Sequence, residues 1–128
     1  MSLTNAFETH TLQYLLTAGS ITRPTAWYVG LFTSYPTYTG SLSNEVSGNA
    51  YASTAVAFSV TNDLATNSAA VEFPAASGGN WGTITHIGVI DASTSGNMII
   101  HSALTTAKAI NDGDVFRIPT GDLDITAA

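Results

Sequence analysis

The chain has 128 residues, of which 45% are hydrophobic and only 9% are charged. A chain of this length fits a single domain, and its apolar content is too high for a disordered segment. Three basic and nine acidic residues give a formal charge of −6. Because nucleic-acid binding requires phosphate neutralisation and anionic membranes attract basic segments, neither a nucleic acid nor a membrane is expected as a partner.

The chain contains no cysteine, which excludes thiol catalysis, cysteine-ligated zinc and disulfide bonds. No apolar run is long enough to span a bilayer, and the N-terminus lacks the basic and apolar regions of a signal peptide. We therefore expect synthesis in a cytoplasm without such a signal, which does not fix where the protein finally works. Small and hydroxylic residues replace the missing charges: 19 Thr, 13 Ser, 18 Ala and 11 Gly.

One helix is predicted near the N-terminus, over residues 4–17. Ser2 or Thr4 is the expected N-cap, and an approximate i, i+3/i+4 apolar stripe follows. The stripe consists of Leu3, Phe7, Thr11, Leu12, Tyr14, Leu15 and Leu16. Gly19 is the expected C-terminal stop, and Pro24 prevents continuation. We expect this helix to cover one end of a β-domain, with a partner-binding helix as the alternative.

From residue 26 onward the chain has the period of two and the β-branched and aromatic content of strands. The predicted strands cover residues 26–33, 51–60, 71–73, 84–90, 98–104, 115–118 and 123–126. The strands 84–90 and 98–104 are expected to pair as a hairpin, and the strand 26–33 is expected to be apolar on both faces. Within residues 51–60, Val56, Phe58 and Val60 are expected to share one face with Thr54.

Turn residues separate the predicted strands. The expected turns are Asn62-Asp63, Thr66-Asn67, Asp112-Gly113 and Pro119-Thr120-Gly121, and Asp112-Gly113 is a dipeptide that favours type I′ geometry. This pattern predicts a mainly β fold: an antiparallel β-sandwich or jelly roll of about seven to eight strands with one short N-terminal helix. The single domain covers residues 1–128, with the helix and arm at 1–20 and a long loop at 34–49.

Few residues indicate a catalytic, metal-binding or cofactor-binding site. The three histidines match no short metal-binding signature, although His86 and His101 are expected to be neighbours on the predicted hairpin. The C-terminal acids Asp112, Asp114, Asp122 and Asp124 are explained by turn hydrogen bonds, with calcium binding as an open alternative. Because no Gly-x-Ser-x-Gly elbow, glycosidase carboxylate pair or phosphate-binding loop is present, no enzyme activity and no metal or cofactor is expected.

Several motifs occur together along almost the whole chain. They are Gly30-Leu31-Phe32-Thr33, Glu45-Val46-Ser47-Gly48 with Tyr51-Ala52, Asn67 to Pro74, Trp81 to Asp91, and Ser95 to Lys108. In this combination the chain resembles a family of small tailed-bacteriophage (Caudoviricetes) virion structural proteins, often labelled tail-fibre, minor structural or capsid decoration proteins. It departs from the family pattern at Ser53, where arginine is expected, so an arginine-dependent contact is not carried over.

The motif residues have structural interpretations of their own. Glu45 is expected to accept backbone N–H bonds and so hold the long loop. Trp81 is expected to supply a large apolar contact where a strand begins at Gly82. Gly88 is expected to let a neighbouring backbone approach closely.

The resemblance implies a non-enzymatic virion protein. The leading hypothesis is a capsid decoration or cement protein that stabilises the shell through repeated contacts between capsomers, as a homo-oligomer and specifically a trimer. The alternative is a tail fibre or other tail component that contacts a receptor or glycan, and a third hypothesis is a carbohydrate-binding module. The partners are then the major capsid protein or tail proteins of the same virion. Contacts are assigned to residues 1–18 and 34–49, with the candidate interface residues Leu3, Phe7, Tyr14, Tyr35, Tyr38, Glu45 and Tyr51.

Overall fold

The computed structural model describes residues 2–127, so residues 1 and 128 of the predicted domain lie outside the described part. Within it the chain forms ten strands and one helix. In chain order these are β1 (Ser2–Leu3), α1 (Asn5–Leu16), β2 (Tyr28–Phe32), β3 (Thr54–Ala55), β4 (Phe58–Thr61), β5 (Leu64–Asn67), β6 (Val71–Glu72), β7 (Gly82–Ile90), β8 (Met98–Ile110), β9 (Arg117–Ile118) and β10 (Asp124–Thr126).

The largest sheet has five antiparallel strands in the order β1-β8-β7-β2-β3. β7 and β8 form the predicted hairpin, in which Gly88 lies opposite His101. β8 extends six residues beyond the predicted end at Leu104, because Thr83 and Ile84 continue the ladder opposite Ala109 and Lys108. β2 pairs with the other edge of β7 and is buried on both faces, as its apolar sequence predicts.

Two smaller antiparallel sheets complete the fold, in the orders β10-β5-β4 and β6-β9. The main core combines side chains of β2 and β7 with those of β6, β9 and their flanking segments. Its buried members are Val29, Leu31, Val46, Val56, Val71, Phe73, Ala76, Trp81, Ile84, Ile87, Ile110, Phe116, Ile118 and Leu123. Because separate sheets contribute to one core, the arrangement is sandwich-like. The prediction of a mainly antiparallel β fold with one short N-terminal helix is confirmed.

The predicted strand 51–60 is split between two sheets. β3 pairs with β2, whereas β4 pairs with β5, so the chain leaves one sheet and joins another around Val56. Val56 is buried in the core, but Val60 is 72% exposed, so the residues predicted to share one face do not share one environment. Alternation along the sequence gives the side-chain period and carries no information on where a strand changes partners.

Two turn predictions differ from the structure. Thr66 and Asn67 lie in β5, whereas the Asn62-Asp63 turn connects β4 to β5 as predicted. At Asp112-Gly113 a turn is present, since the Asp114 N–H donates to the Asn111 carbonyl at 2.9 Å. Of its two central residues only Gly113 has positive φ (90°), whereas type I′ requires both, so that geometry was predicted wrongly.

The helix runs from Asn5 to Leu16, close to the predicted 4–17, with Thr4 at the N-cap position. It does not end at a glycine: the C-cap is Thr17 in an extended conformation, and its N–H donates to the Gln13 carbonyl. The Thr17 hydroxyl donates to the same carbonyl at 2.7 Å. The helix therefore ends at Thr17, whose side chain bonds to its last turn, and not at the predicted stop Gly19.

Glycines allow a second small core to form at the centre of the large sheet. Gly30 and Gly88 lie opposite each other, and a Cβ at either position would come within 3.2 Å of the Phe32 ring. At Gly88 the Met98 side chain is closer still, at 2.8 Å. The close approach predicted at Gly88 is therefore made by side chains rather than by a backbone.

Candidate interaction surface

Helix α1 is attached to the large sheet through its first turn. The Thr4 hydroxyl donates to the Met98 carbonyl at 2.7 Å, and the Thr4 N–H donates to the Ile99 carbonyl at 3.0 Å. The Asn5 N–H donates to the Tyr38 carbonyl of the long loop at 3.0 Å. Phe7 is the buried side chain of the helix. The helix therefore contacts the β-domain, as predicted, but only through its N-terminal end.

The rest of the helix exposes large apolar side chains. Leu12 is 58% exposed, Tyr14 62%, Leu15 67% and Leu16 76%. An isolated helix of about 12 residues is marginally stable in water, and most helices gain stability by burying an apolar face. Here that face has no cover within residues 2–127, which identifies it as a surface suited to contact with another chain.

A groove of about 410 Å³ lies between the helix and the segment that follows it. We call it the helix groove; it is lined by Phe7, His10, Thr11, Tyr14, Leu15, residues 21–24, Trp27 and Ile99. Its walls are mainly apolar, and the charged residue among them is Arg23. The His10 Nδ1 atom is buried and has no hydrogen-bond partner among the described residues. Buried polar atoms are normally paired, so this nitrogen is a site where an arriving group can bond.

A second groove, of about 720 Å³, lies on the other side of the helix, against the β10-β5-β4 sheet. Two of the predicted interface residues, Leu3 and Tyr38, line it together with Glu8 and Val60. Tyr38 is exposed, whereas Leu3 is half-buried because β1 pairs with β8. The N-terminal segment and the long loop thus lie side by side here.

Glu45 and Tyr51 form a hydrogen-bonded pair beside a third groove, of about 550 Å³. The Tyr51 hydroxyl donates to Glu45 Oε2 at 2.6 Å and accepts the Leu31 N–H at 3.0 Å. Burial raises the pKa of the Glu45 carboxyl, although the Tyr51 hydrogen bond opposes this shift. Burial and the bond to Glu45 also raise the pKa of Tyr51 well above its usual value.

This pair fastens the long loop to β2. Glu45 also forms a backbone bridge with Phe32, and the Val46 N–H donates to the Leu31 carbonyl at 3.0 Å. Glu45 does hold the loop as predicted, but the donor to its side chain is a hydroxyl and not a backbone N–H. At Ser53, where the resemblance predicts arginine, the hydroxyl donates to the Ser93 carbonyl at 3.0 Å.

Tyr35 packs against both strand histidines. Its ring centroid lies 5.8 Å from that of His86 and 5.5 Å from that of His101. His101 Nε2–H donates to the Thr37 carbonyl at 3.1 Å, and burial lowers the pKa of His101. The hairpin therefore brings the two histidines to one place, as predicted. Among residues 2–127 no group of three or more His, Asp or Glu side chains is arranged to hold a metal ion.

The C-terminal acids take part in turn bonding. Asp114 Oδ2 accepts the Asn111 N–H at 2.9 Å, and the Asp112 N–H donates to Asn80 Oδ1 at 2.8 Å. In the Pro119-Thr120-Gly121 turn, the Asp122 N–H donates to the Pro119 carbonyl at 3.1 Å. The Asp114 carboxylate thus bonds within its turn as predicted, whereas Asp112 and Asp122 contribute backbone N–H groups and Asp124 lies in β10.

The seven candidate interface residues thus separate into four locations. Phe7 and Tyr14 line the helix groove, Leu3 and Tyr38 the second groove, Glu45 and Tyr51 the third, and Tyr35 covers the histidine pair. The seven candidate residues do not include Leu12, Leu15 and Leu16, which lie in the predicted contact segment 1–18 and are exposed. The signal was present, because all three belong to the apolar helix stripe, but their exposure depends on how little of the helix the sheet covers.

Comparison with known proteins places the chain in a family. The family model described as Podophage GP4 fiber I protein gp80 matches residues 2–126. No curated protein matches the chain. Within residues 2–127 no helix has the length and apolarity needed to cross a membrane. Since the match covers nearly the whole sequence, the chain belongs to the family of the podophage GP4 fiber I protein gp80, a family of phage virion structural proteins, and is itself a virion protein.

Proposed function

We propose that the protein is a non-enzymatic structural subunit of a podophage tail fibre. The family match over residues 2–126 carries this proposal, because the family is described as a fibre protein. It favours the tail component over the capsid cement protein, which is the leading hypothesis from composition and size alone.

The surface chemistry supports a role in protein contacts. The exposed part of helix α1 presents Leu12, Leu15 and Leu16 beside Tyr14. Tyrosine is enriched among the residues that contribute most binding energy at protein interfaces, and the exposed leucines add apolar surface that a partner can cover. We propose that the partners are other tail proteins of the same virion and further copies of this chain, the latter as a trimer.

The copy number per virion tests this proposal. Quantitative mass spectrometry of purified particles would compare the protein with the major capsid protein and with the portal. We expect a few copies per portal subunit or fewer, as for a component placed around a single vertex. Hundreds of copies, in simple ratio to the capsid protein, would replace the fibre by a shell-wide cement protein, and absence from the particles would contradict both.

The position in the particle gives a second, independent readout. Gold-labelled antibodies against the protein should bind at the tail vertex in electron micrographs. The matched control is an antibody against the major capsid protein, which should label the whole shell. Labelling distributed over the shell by both antibodies would contradict the fibre assignment.

A further inference from the structure

We propose that the third groove, which lies beside the Glu45–Tyr51 pair, binds an arginine side chain presented by another protein of the virion. We call it the loop groove; its polar lining includes this pair, Ser53 and the β7–β8 connection at Ser93, Thr94 and Ser95. The inference deepens the proposed function by giving the chemistry of a partner, and it rests on that function for the partner being a virion protein. Its test uses the purified chain and short peptides, so its failure is distinguishable from failure of the fibre assignment.

The Glu45 carboxyl has one of its two oxygens engaged within the chain. Oε2 accepts the Tyr51 hydroxyl at 2.6 Å, whereas Oε1 has no hydrogen-bond partner among residues 2–127. The side chain is half-buried and lines the loop groove. Carboxylates that are withdrawn from water are normally paired with a cation or with several hydrogen-bond donors. Oε1 is therefore an acceptor that a donor entering the groove can use.

The described part of the chain supplies no cation to this carboxylate. The whole sequence has three basic residues, and none of them lines the loop groove within residues 2–127. Arg23 lines the helix groove, Lys108 lies on β8 and Arg117 lies on β9. Charge complementarity therefore indicates a cation that comes from outside the chain.

The negative charge at Glu45 has a cost that its structural role does not require. Burial raises the pKa of the Glu45 carboxyl, so the ionised form present at neutral pH is disfavoured. A glutamine would also accept the Tyr51 hydroxyl bond and hold the long loop, without placing a charge there. Side chains that reduce stability are typical of functional sites. This cost supports a use of the charge beyond fastening the loop.

The walls of the loop groove favour arginine over lysine. The hydroxyls of Ser93, Thr94 and Ser95 are exposed at the groove and are hydrogen-bond acceptors as well as donors. A guanidinium carries five N–H donors in one plane and is weakly hydrated, whereas an ammonium is a compact and strongly hydrated charge. Leu42 and Val46 also line the groove and offer apolar contact to the methylene groups of an arginine. The volume of about 550 Å³ exceeds that of one such side chain.

A protein with a basic surface is the expected source of the arginine. The chain has a formal charge of −6 and only three basic residues. Its net charge attracts a basic surface and repels a further copy of the same chain. We therefore assign the loop groove to a different virion protein and not to another copy.

Peptide titration of the ¹⁵N-labelled full chain, followed by NMR, tests the site. The probe is acetyl-Gly-Arg-Gly-amide, and the control is acetyl-Gly-citrulline-Gly-amide, in which a neutral urea of nearly the same shape replaces the guanidinium. The arginine peptide should give saturable shifts confined to the amides of residues 45–53 and 93–95, with a Kd on the order of 1–10 mM. The citrulline peptide should bind at least about tenfold more weakly, because it carries no charge.

Two glutamine variants locate the charge that is recognised. Glu45→Gln keeps an acceptor for the Tyr51 hydroxyl, so the loop should stay in place, and the Kd for the arginine peptide should rise at least about tenfold. Glu72→Gln is the matched control, since it removes one negative charge from an exposed position on β6. It should leave the Kd within about twofold of the wild type. Unchanged amide signals of β7 and β8 in both variants verify that the chain is folded.

The pKa of Glu45, followed through its carboxyl carbon signal, gives a second readout. Bound arginine peptide should lower this pKa, because a cation favours the ionised form, and the Kd should therefore increase as the pH falls through the Glu45 pKa. Tyr51 is the other titratable residue that lines the groove, and its raised pKa keeps it protonated over this range. A Glu45 pKa that does not move when the peptide is bound would overturn the proposal.

Other results also decide against the site. Equal binding of the two peptides, equal effects of the two glutamine variants, or shifts of the same size around Glu8 and Glu72 would each overturn it, since they indicate unspecific attraction to a negative surface. Methyl glucoside at 50 mM serves as a neutral polyol probe. Shifts of the groove amides by this sugar, without a response to the arginine peptide, would assign the groove to a saccharide instead.

Discussion

Glu45 shows how a single acidic side chain is used to hold a loop. Its carboxyl lies over β2, where a Cβ on Gly30 would come within 2.8 Å of Oε2. Burial disfavours the ionised form, so the pKa is raised from its usual value near 4.5. A group whose pKa rises on folding stabilises the protein most below its ordinary pKa, and this contribution is lost as the pH rises through the folded value. At neutral pH the ionised Glu45 is therefore a destabilising element that the Tyr51 hydrogen bond partly offsets.

Glu45→Gln should accordingly stabilise the protein at neutral pH. Glutamine keeps an acceptor for the Tyr51 hydroxyl and removes the cost of a partly buried charge. We expect thermal denaturation at pH 7.5 to show a rise in Tm on the order of 2 °C, which diminishes toward pH 4. Glu72→Gln, on the exposed side of β6, is the control for loss of one negative charge. A Tm difference for Glu45→Gln that grows as the pH falls would contradict the argument.

Asn67 shows the limit of local sequence patterns at the same scale. Because asparagine favours turns, the sequence predicts a turn at this position, yet Asn67 is fully buried at the end of β5. Its Nδ2 donates to the Ala69 and Pro119 carbonyls, both at 2.9 Å, and its Oδ1 accepts the Leu123 N–H at 2.9 Å. Two of the three hydrogen bonds join residues that are more than fifty positions apart in the sequence, so no local sequence pattern predicts them.

At the scale of elements, helix α1 is attached to the sheets by few contacts. One buried phenylalanine and the backbone bonds of Thr4 and Asn5 attach it, whereas β7 and β8 are paired along most of their length. Regions with few buried apolar contacts open locally at low free energy. In the isolated chain the helix should therefore open without unfolding of the sheets.

Phe7→Ala should release the helix and leave the sheets folded. Amide hydrogen exchange, measured at a concentration where the chain is monomeric, should show at least a tenfold loss of protection over residues 11–16. The amides of β7 and β8 should keep their wild-type protection. Leu16→Ala serves as the control, because Leu16 is exposed and makes no comparable contact. Equal loss of protection in the helix and in both strands would show that the helix is part of the cooperative core.

At the scale of the whole molecule, one core connects the sheets. Aromatic rings meet at its centre: Phe73 lies 5.6 Å from Phe116 and 6.5 Å from Trp81, between ring centroids. The Trp81 Nε1–H donates to the Asn49 carbonyl at 2.9 Å, which ties the end of the long loop to this cluster. The large apolar contact predicted at the start of β7 is present.

The single domain predicted for the chain implies that the sheets unfold together. Tryptophan fluorescence reports on Trp81 in the core and on half-buried Trp27 beside the helix groove, and far-UV circular dichroism reports on the strands. In chemical denaturation the two signals should give coincident transitions with one midpoint, as for a two-state domain. Separate midpoints, in a variant that is monomeric throughout, would indicate two independently folding units.

The sequence by itself determined the fold class, the family, the N-terminal helix, the β7–β8 hairpin and the burial of β2. Each of these depends on local periodicity, on turn residues or on motifs that are contiguous in the chain. The tertiary structure alone decided that the strand 51–60 divides between sheets, that Asn67 is buried and that Glu45 bonds to Tyr51. It also decided that Leu12 and Leu16 face outward, because apolar spacing defines a helix face but not what covers it. Pairing partners and burial arise from contacts between distant parts of the chain, and these contacts leave no local signal.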